Sequence, residues 1–163
     1  MDVQFYDEEY RFKMRTSALI IEDNKLLLTK NDMDPMYYTP GGKVEIGEEA
    51  AETVVRELFE ETGVEYKIDR LLFIEELFYE ADFSNRFSKA HEITFHYLMK
   101  PTGISEFNNQ SYTHHNLLEH FEWIDLDKVK DQYIYPRMIE KLNFNELPDH
   151  VQHLVNYDTY QGK

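Results

Sequence analysis

The segment Glu48 to Thr62 most constrains how this chain can fold. On a helical wheel of about 3.6 residues per turn, Ala51, Val54, Val55, Leu58 and Phe59 fall on one stripe. A stripe of that kind must be buried against another element. Gly63 follows where a helix stop needs a permissive backbone, with apolar Val64 behind it. Glu57, Glu60 and Glu61 occupy the other side at spacings of three and four, which sets carboxylates side by side. Like charges there repel one another. Glu60 and Glu61 also lie near the C-terminal end, where the helix dipole disfavours acids. Stability alone gives no reason for this arrangement. Two readings compete: a solvated acidic face, or a carboxylate set for a hard divalent cation.

The segments around this helix alternate in type. Phe12 to Glu22 reads as a buried strand, Asp23-Asn24 as a turn and Lys25 to Lys30 as the return strand of a hairpin. A polar loop from Asn31 to Met36 leads to Tyr37-Tyr38-Thr39-Pro40-Gly41-Gly42. Leu71 to Tyr79, Glu92 to Met99 and Phe121 to Leu126 read as strands. Tyr135 to Leu142 reads as a short helix with Pro136 in its first turn. Glu80 to Ala90 reads as a polar, mobile loop, and the tail from Asn143 has no assignment. Strands on both sides of a helix predict a mixed sheet packed by helices, in a single domain over residues 1–163. Glu92, Thr94 and His96 share one strand face, which lines a cleft or meets solvent.

Charge narrows the partners. Thirty-two acids against 17 bases leave a net charge of -15. That balance is wrong for gripping a nucleic-acid polymer or an anionic membrane surface, both of which need Lys and Arg. An anionic substrate therefore calls for a divalent ion. No apolar run approaches a membrane span. The acidic stretch Met1 to Tyr10 does not read as a secretory signal, so a cytoplasmic setting is the default expectation. The chain has no cysteine, which excludes thiolate nucleophiles, disulfides and cysteine-based metal centres. His114-His115 reads as loop composition, because adjacent side chains rarely converge on one ion.

The residues flanking the helix decide between its two readings. Gly42-Lys43-Val44-Glu45-Ile46-Gly47-Glu48 is followed, after seven residues, by Arg56-Glu57-Leu58-Phe59-Glu60-Glu61-Thr62-Gly63-Val64. This resembles the Nudix box at all nine specified positions, a far more specific match than a lone glycine motif. Pro40-Gly41 and the strand Phe121-Glu122-Trp123-Ile124, followed by Asp125-Leu126-Asp127, resemble the family too. The resemblance spans about Arg15 to Val129.

The resemblance implies an α/β fold: a Nudix-type α/β/α sandwich with a central mixed β-sheet and a loop–helix–loop catalytic motif. It implies a metal-dependent hydrolase cleaving the phosphoanhydride linkage of a nucleoside diphosphate derivative or a related small molecule. Mg2+ is the implied cofactor, with Mn2+ able to substitute. By the same resemblance Glu57, Glu60 and Glu61 hold the ions, the Gly42 carbonyl assists, and Arg56 orients the carboxylates. Glu52, four residues before Arg56, is spaced to pair with it. Glu48 lies behind the ligands without touching the ion. The general base is a box glutamate or, from a later segment, Glu119.

Substrate contacts are expected at Lys30 for phosphate, Tyr38 for a stacked ring and Glu92 for the cleft wall. Arg86 and Lys89 are placed to close over phosphates. The expected partner is a small nucleotide-like molecule, and a homodimer is compatible with the sequence. A catalytically silent, nucleotide-sensing domain is the alternative function. Such domains lose box acids, whereas this chain keeps them all.

Overall fold

The structure, a computed structural model, describes residues 1–84, 87–108, 110–113 and 116–159. Arg86 and His114-His115 lie outside the described residues. The chain opens with β1 (Gln4–Tyr6), β2 (Tyr10–Leu19), β3 (Ile21–Glu22), β4 (Lys25–Asn31) and β5 (Tyr37–Tyr38). Helix α1 (Ala50–Thr62) precedes the long pair β6 (Ile68–Ser84) and β7 (Phe87–Met99). After these come β8 (Ser111–Tyr112), β9 (Leu118–Asp125), β10 (Ile134–Tyr135) and β11 (Gln152–Thr159). Two 3-10 segments, Leu126–Asp131 and Arg137–Lys141, flank β10.

The strands form two mixed sheets. One has the order β1-β2-β7-β6-β11, with β2 parallel to β7 and β11 parallel to β6. The other has the order β10-β5-β4-β9-β8, and β3 pairs with β4. Alternation along the strands sends side chains to opposite faces. Ala18, Ile20 and Leu27 join Val54 and Leu58 of α1 in one core cluster. Leu19, Leu26 and Leu28 join Val129, Met138 and Ile139 of the 3-10 segments in the other. Both sheets feed both clusters, so they act as one layer between α1 and the 3-10 segments. The mixed α/β class expected from the sequence is what the chain adopts. One α-helix covers the first face, and the second helical layer is built from 3-10 turns. Among the described residues, no helix is long and apolar enough to cross a membrane.

Helix α1 begins two residues after Glu48. Glu49 closes a capping box with Glu52, and Gly63 ends the helix at a left-handed φ of 73°. Phe59 departs from the expected apolar stripe and is half exposed, while Thr53 and Thr62 are buried in its place. Their hydroxyls make this tolerable: Thr53 donates to Glu48 at 2.8 Å and Thr62 to the Leu58 carbonyl at 2.6 Å.

Two further expectations are corrected. The span read as a polar loop is the end of a hairpin, because β6 continues to Ser84 and β7 starts at Phe87. Buried Leu77, Tyr79 and Ala90 anchor it in a small third cluster. The unassigned tail returns as β11, tied to β6 by an Asn156–Glu75 hydrogen bond of 2.7 Å.

Candidate active site

The cleft is built on a tight crossing of backbone and helix. Thr16 of β2 donates its N–H to the Gly42 carbonyl at 2.8 Å, and Ala18 donates to the Pro40 carbonyl at 2.9 Å. Gly41 has a φ of 136°, and a Cβ there would strike the Thr16 carbonyl. A Cβ on Gly42 would overlap the Glu57 carboxylate. The glycine pair thus lets β2 and α1 close on the same strip of backbone. The Gly42 carbonyl, expected to assist an ion, is already turned toward Thr16.

Arg56 organises the acids around it. Its guanidinium makes a two-pronged contact with Glu48 at 2.8 and 3.0 Å, and it reaches Glu57 at 2.9 Å and Glu60 at 3.4 Å. Bidentate pairs of this kind fix orientation as well as charge. The Arg56 contact holds Glu48 well below the usual carboxylate range, at about 2. Glu52 is taken up by the helix cap and does not pair with Arg56. Eight residues upstream, Glu48 makes the contact instead, because the loop before α1 folds back along the helix.

Glu57 and Glu61, one turn apart, face a cleft of about 450 Å3, with Glu119 of β9 on the other side. Arg15, Tyr38 and Tyr112 complete the walls used below. Burial raises the Glu61 pKa well above its ordinary value, and the charges of Glu119 and Glu57 push it further. Burial also raises Glu57. Glu61 Oε2 is buried with no hydrogen-bond partner. Glu119 accepts a hydrogen bond from Tyr38 Oη and another from Ser111 Oγ, each at 2.5 Å. Burial, followed by the bond to Glu119, raises the Tyr38 pKa far above that of a free phenol.

The other expected site residues lie elsewhere. The Glu60 side chain is 58% exposed, outside the cleft and held loosely by Arg56. Its step of three residues from Glu57 rotates it toward solvent. Lys30 alternates away from Asn31, a cleft residue, and sets its ammonium 5.4 Å from the Tyr37 ring centroid. Glu92 is buried in an ion pair with Lys13 at 2.6 Å and accepts from Thr94 at 2.8 Å. Burial works against its charge, but Lys13 and Arg15 outweigh it and hold the carboxyl down to about 2. Lys89 is part-exposed and pairs with Glu9 at 2.9 Å.

Arg15 was not singled out from the sequence. Burial lowers its pKa, but Glu92, Tyr79, Tyr135 and Glu57 outweigh that and raise it overall. Among the described residues its side chain has no hydrogen-bond or ion-pair partner, although it lines the cleft. Lys43, the other cation of the cleft, is paired with Asp2 at 2.8 Å. The available signal was the spacing Arg11-Lys13-Arg15, three bases on one face of one strand in a chain short of bases.

A family model described as NUDIX domain matches residues 11–142. The chain belongs to the Nudix family. It is 47% identical over 58 residues to an ADP-ribose pyrophosphatase of Methanocaldococcus jannaschii, a match covering 34% of each chain. Over 149 residues it is 30% identical to a diphosphoinositol polyphosphate phosphohydrolase 3-beta of Bos taurus, covering 88% of this chain and 85% of that one. Among solved structures, a MutT mutator protein of Bacillus halodurans superposes with a TM-score of 0.65 at 24% identity. That match covers 90% of each chain and speaks to the fold.

Nudix proteins generally use divalent metals, and this site fits one. Glu57, Glu61 and Glu119 line the same cleft with hard oxygen donors, and one Glu61 oxygen is buried without a partner. Among the described residues no three His, Cys, Asp or Glu side chains are grouped closely enough to hold an ion by themselves. A hard divalent ion that keeps waters and substrate oxygens in its coordination sphere needs no all-protein shell.

Proposed function

We propose that this Nudix chain is a magnesium-dependent hydrolase of phosphoanhydride bonds in nucleoside diphosphate derivatives, with manganese able to substitute. One observation carries the reading: Glu57, Glu61 and Glu119 line one cleft in which, among the described residues, Arg15 is the cation whose side chain has no hydrogen-bond or ion-pair partner. A bound divalent ion would neutralise diphosphate oxygens and lower the pKa of an attacking water. Glu57 and Glu61 would hold the ion, with Arg56 keeping Glu57 in place. Arg15 takes a non-bridging phosphate oxygen. Glu119 accepts the water proton: a carboxylate has about four acceptor sites, so Tyr38 and Ser111 leave it capacity while fixing its angle. Water adds to one phosphorus, the bridging P–O bond breaks, and the departing phosphate keeps the electron pair.

The substrate class follows from charge. With Lys43 tied to Asp2, Arg15 matches one diphosphate, and the Tyr38 and Tyr112 rings offer a surface for the remainder. The name of one relative, matched over 58 residues, suggests ADP-ribose, and the names of relatives matched over 149 residues suggest diphosphoinositol polyphosphates; of the two, ADP-ribose is the nucleoside diphosphate derivative and the first compound to try. The acidic, cysteine-free composition suits a cytoplasmic setting.

The test is a panel of ADP-ribose, nucleoside triphosphates, sugar nucleotides, dinucleoside polyphosphates and diphosphoinositol phosphates with magnesium, products identified by mass. Hydrolysis of a nucleoside diphosphate derivative is expected, abolished by chelator and restored by magnesium or manganese. Binding without turnover across the panel would favour the silent sensing domain. Full activity in a rigorously metal-free preparation would sink the mechanism.

A further inference from the structure

A ladder of rings crosses the five-stranded sheet, one ring from each strand. Phe5 of β1 stacks on Phe12 of β2 with centroids 4.8 Å apart. Phe12 meets His91 of β7 edge-on at 5.3 Å, and His91 stacks on Phe78 of β6 at 4.3 Å. Phe78 stacks on Tyr157 of β11 at 5.1 Å. Each contact joins direct register partners, so all five rings share one face. Helix α1 packs on that face around Phe95 and Tyr97. The ladder lies beyond it, with Phe5 60% and Tyr157 78% exposed.

The ladder ends open at β11. Among the described residues, no strand pairs with the outer edge of β11. Exposed edges carry unpaired N–H and C=O groups, and proteins guard them with Lys, Pro, bulges or very short strands. β11 runs eight residues in unbroken register and contains no Lys, Pro or Gly. The opposite edge, β1, has three residues, too few for a comparable pairing.

We propose that β11 pairs antiparallel with β11 of a second copy, about a two-fold axis through Val155. Directly opposed residues in a sheet point to the same face, so the strand must pair about a residue and not between two. On the ladder face β11 presents His153, Val155 and Tyr157, which pair in register with Ile74, Glu76 and Phe78. A centre at Val155 sets each Tyr157 opposite the second copy's His153. The ladder then gains its next ring on both sides, a His against an aromatic as at Phe78 and His91. His153 is already held on that face by Glu76 at 2.7 Å. A centre at Asn156 would oppose Tyr157 with Val155, and one at Leu154 would oppose it with Val151; neither supplies a ring. Asp158 falls opposite Gln152, so no two carboxylates meet although the chain carries -15. The result is a closed, isologous dimer with a continuous ten-stranded sheet.

The lack of cysteine makes the register directly readable. Residues opposed across an antiparallel pair have Cα atoms roughly 4.5–5.5 Å apart, within disulfide reach. In light scattering or sedimentation at tens of micromolar, the expected mass is twice 19.7 kDa. Val155→Cys should cross-link on mild oxidation. Gln152→Cys, whose two thiols would lie roughly 20 Å apart along the strands, should not. Tyr157→Lys should give a monomer with wild-type circular dichroism and undiminished hydrolysis. A wild-type chain that stays monomeric overturns the proposal. So does a dimer that survives Tyr157→Lys, or one in which the Val155→Cys thiols stay free.

Discussion

Adjacent glycines in the cleft fail in different ways when given a side chain. At Gly41 a Cβ strikes backbone and the φ of 136° is one that side chains resist. Gly41→Ala should therefore cost stability, on the order of 1–3 kcal/mol, read as a lower midpoint in denaturant. At Gly42 the obstacle is the tip of Glu57. Gly42→Ala should keep the fold and lose turnover, at least roughly tenfold if it displaces one catalytic contact. Equal behaviour of the two variants in both measurements would remove the distinction. Glu61→Gln keeps the size of a buried acid crowded by Glu57 and Glu119 and removes its charge. Turnover should fall at least about a hundredfold, while the thermal midpoint holds or rises; near-normal turnover would make this face a solvated surface. Glu48 gives a pH signature. Its folded pKa of about 2 lies below its ordinary 4.5, so the pair with Arg56 stabilises fully above 4.5. That contribution is lost as pH falls through about 2. Wild type should exceed Glu48→Gln by about 1–2 kcal/mol at pH 7, allowing for water at the pair, and the gap should close in acid.

At the scale of elements, α1 is where sequence and structure agree best. Its stripe buries Val54 and Leu58 completely, so Leu58→Ala should cost about 2–5 kcal/mol in equilibrium unfolding. The helix is legible because a 3.6-residue period persists over several turns and Gly63 marks its end. The glutamates were legible as a set, but not their split into Glu57 and Glu61 inside the cleft and Glu60 outside. That split depends on how the helix is rolled on the sheet, which the wheel does not contain. Glu119 is a candidate from its place ahead of the expected Trp123 strand; in the structure it lies within β9 and lines the same cleft as Glu61. Arg15 is hidden because three alternating bases in a strand do not say which of them meets an acidic wall until that wall is known. The hairpin ends of β6 and β7 were missed because their support comes from cross-strand pairing. β11 pairs in parallel with a strand some eighty residues earlier, which leaves no local trace.

For the whole molecule, a net charge of -15 repels an anionic substrate at long range. With metal held saturating, kcat/KM should rise roughly twofold between low and physiological salt as the repulsion is screened; a fall would mean that attraction within the cleft dominates encounter. The Arg56 clamp has a consequence for motion. Because Arg56 ties Glu48 in the loop to Glu57 on the helix, that wall moves as one body. On the facing wall Glu119 stands on β9, whereas Ser111 and Tyr112 stand on β8, a strand of two residues. Breathing that admits and releases ligands thus belongs to one jaw of the cleft. Relaxation dispersion on the microsecond-to-millisecond scale should find exchange at Ser111 and Tyr112 and a quiet Arg56 to Glu61.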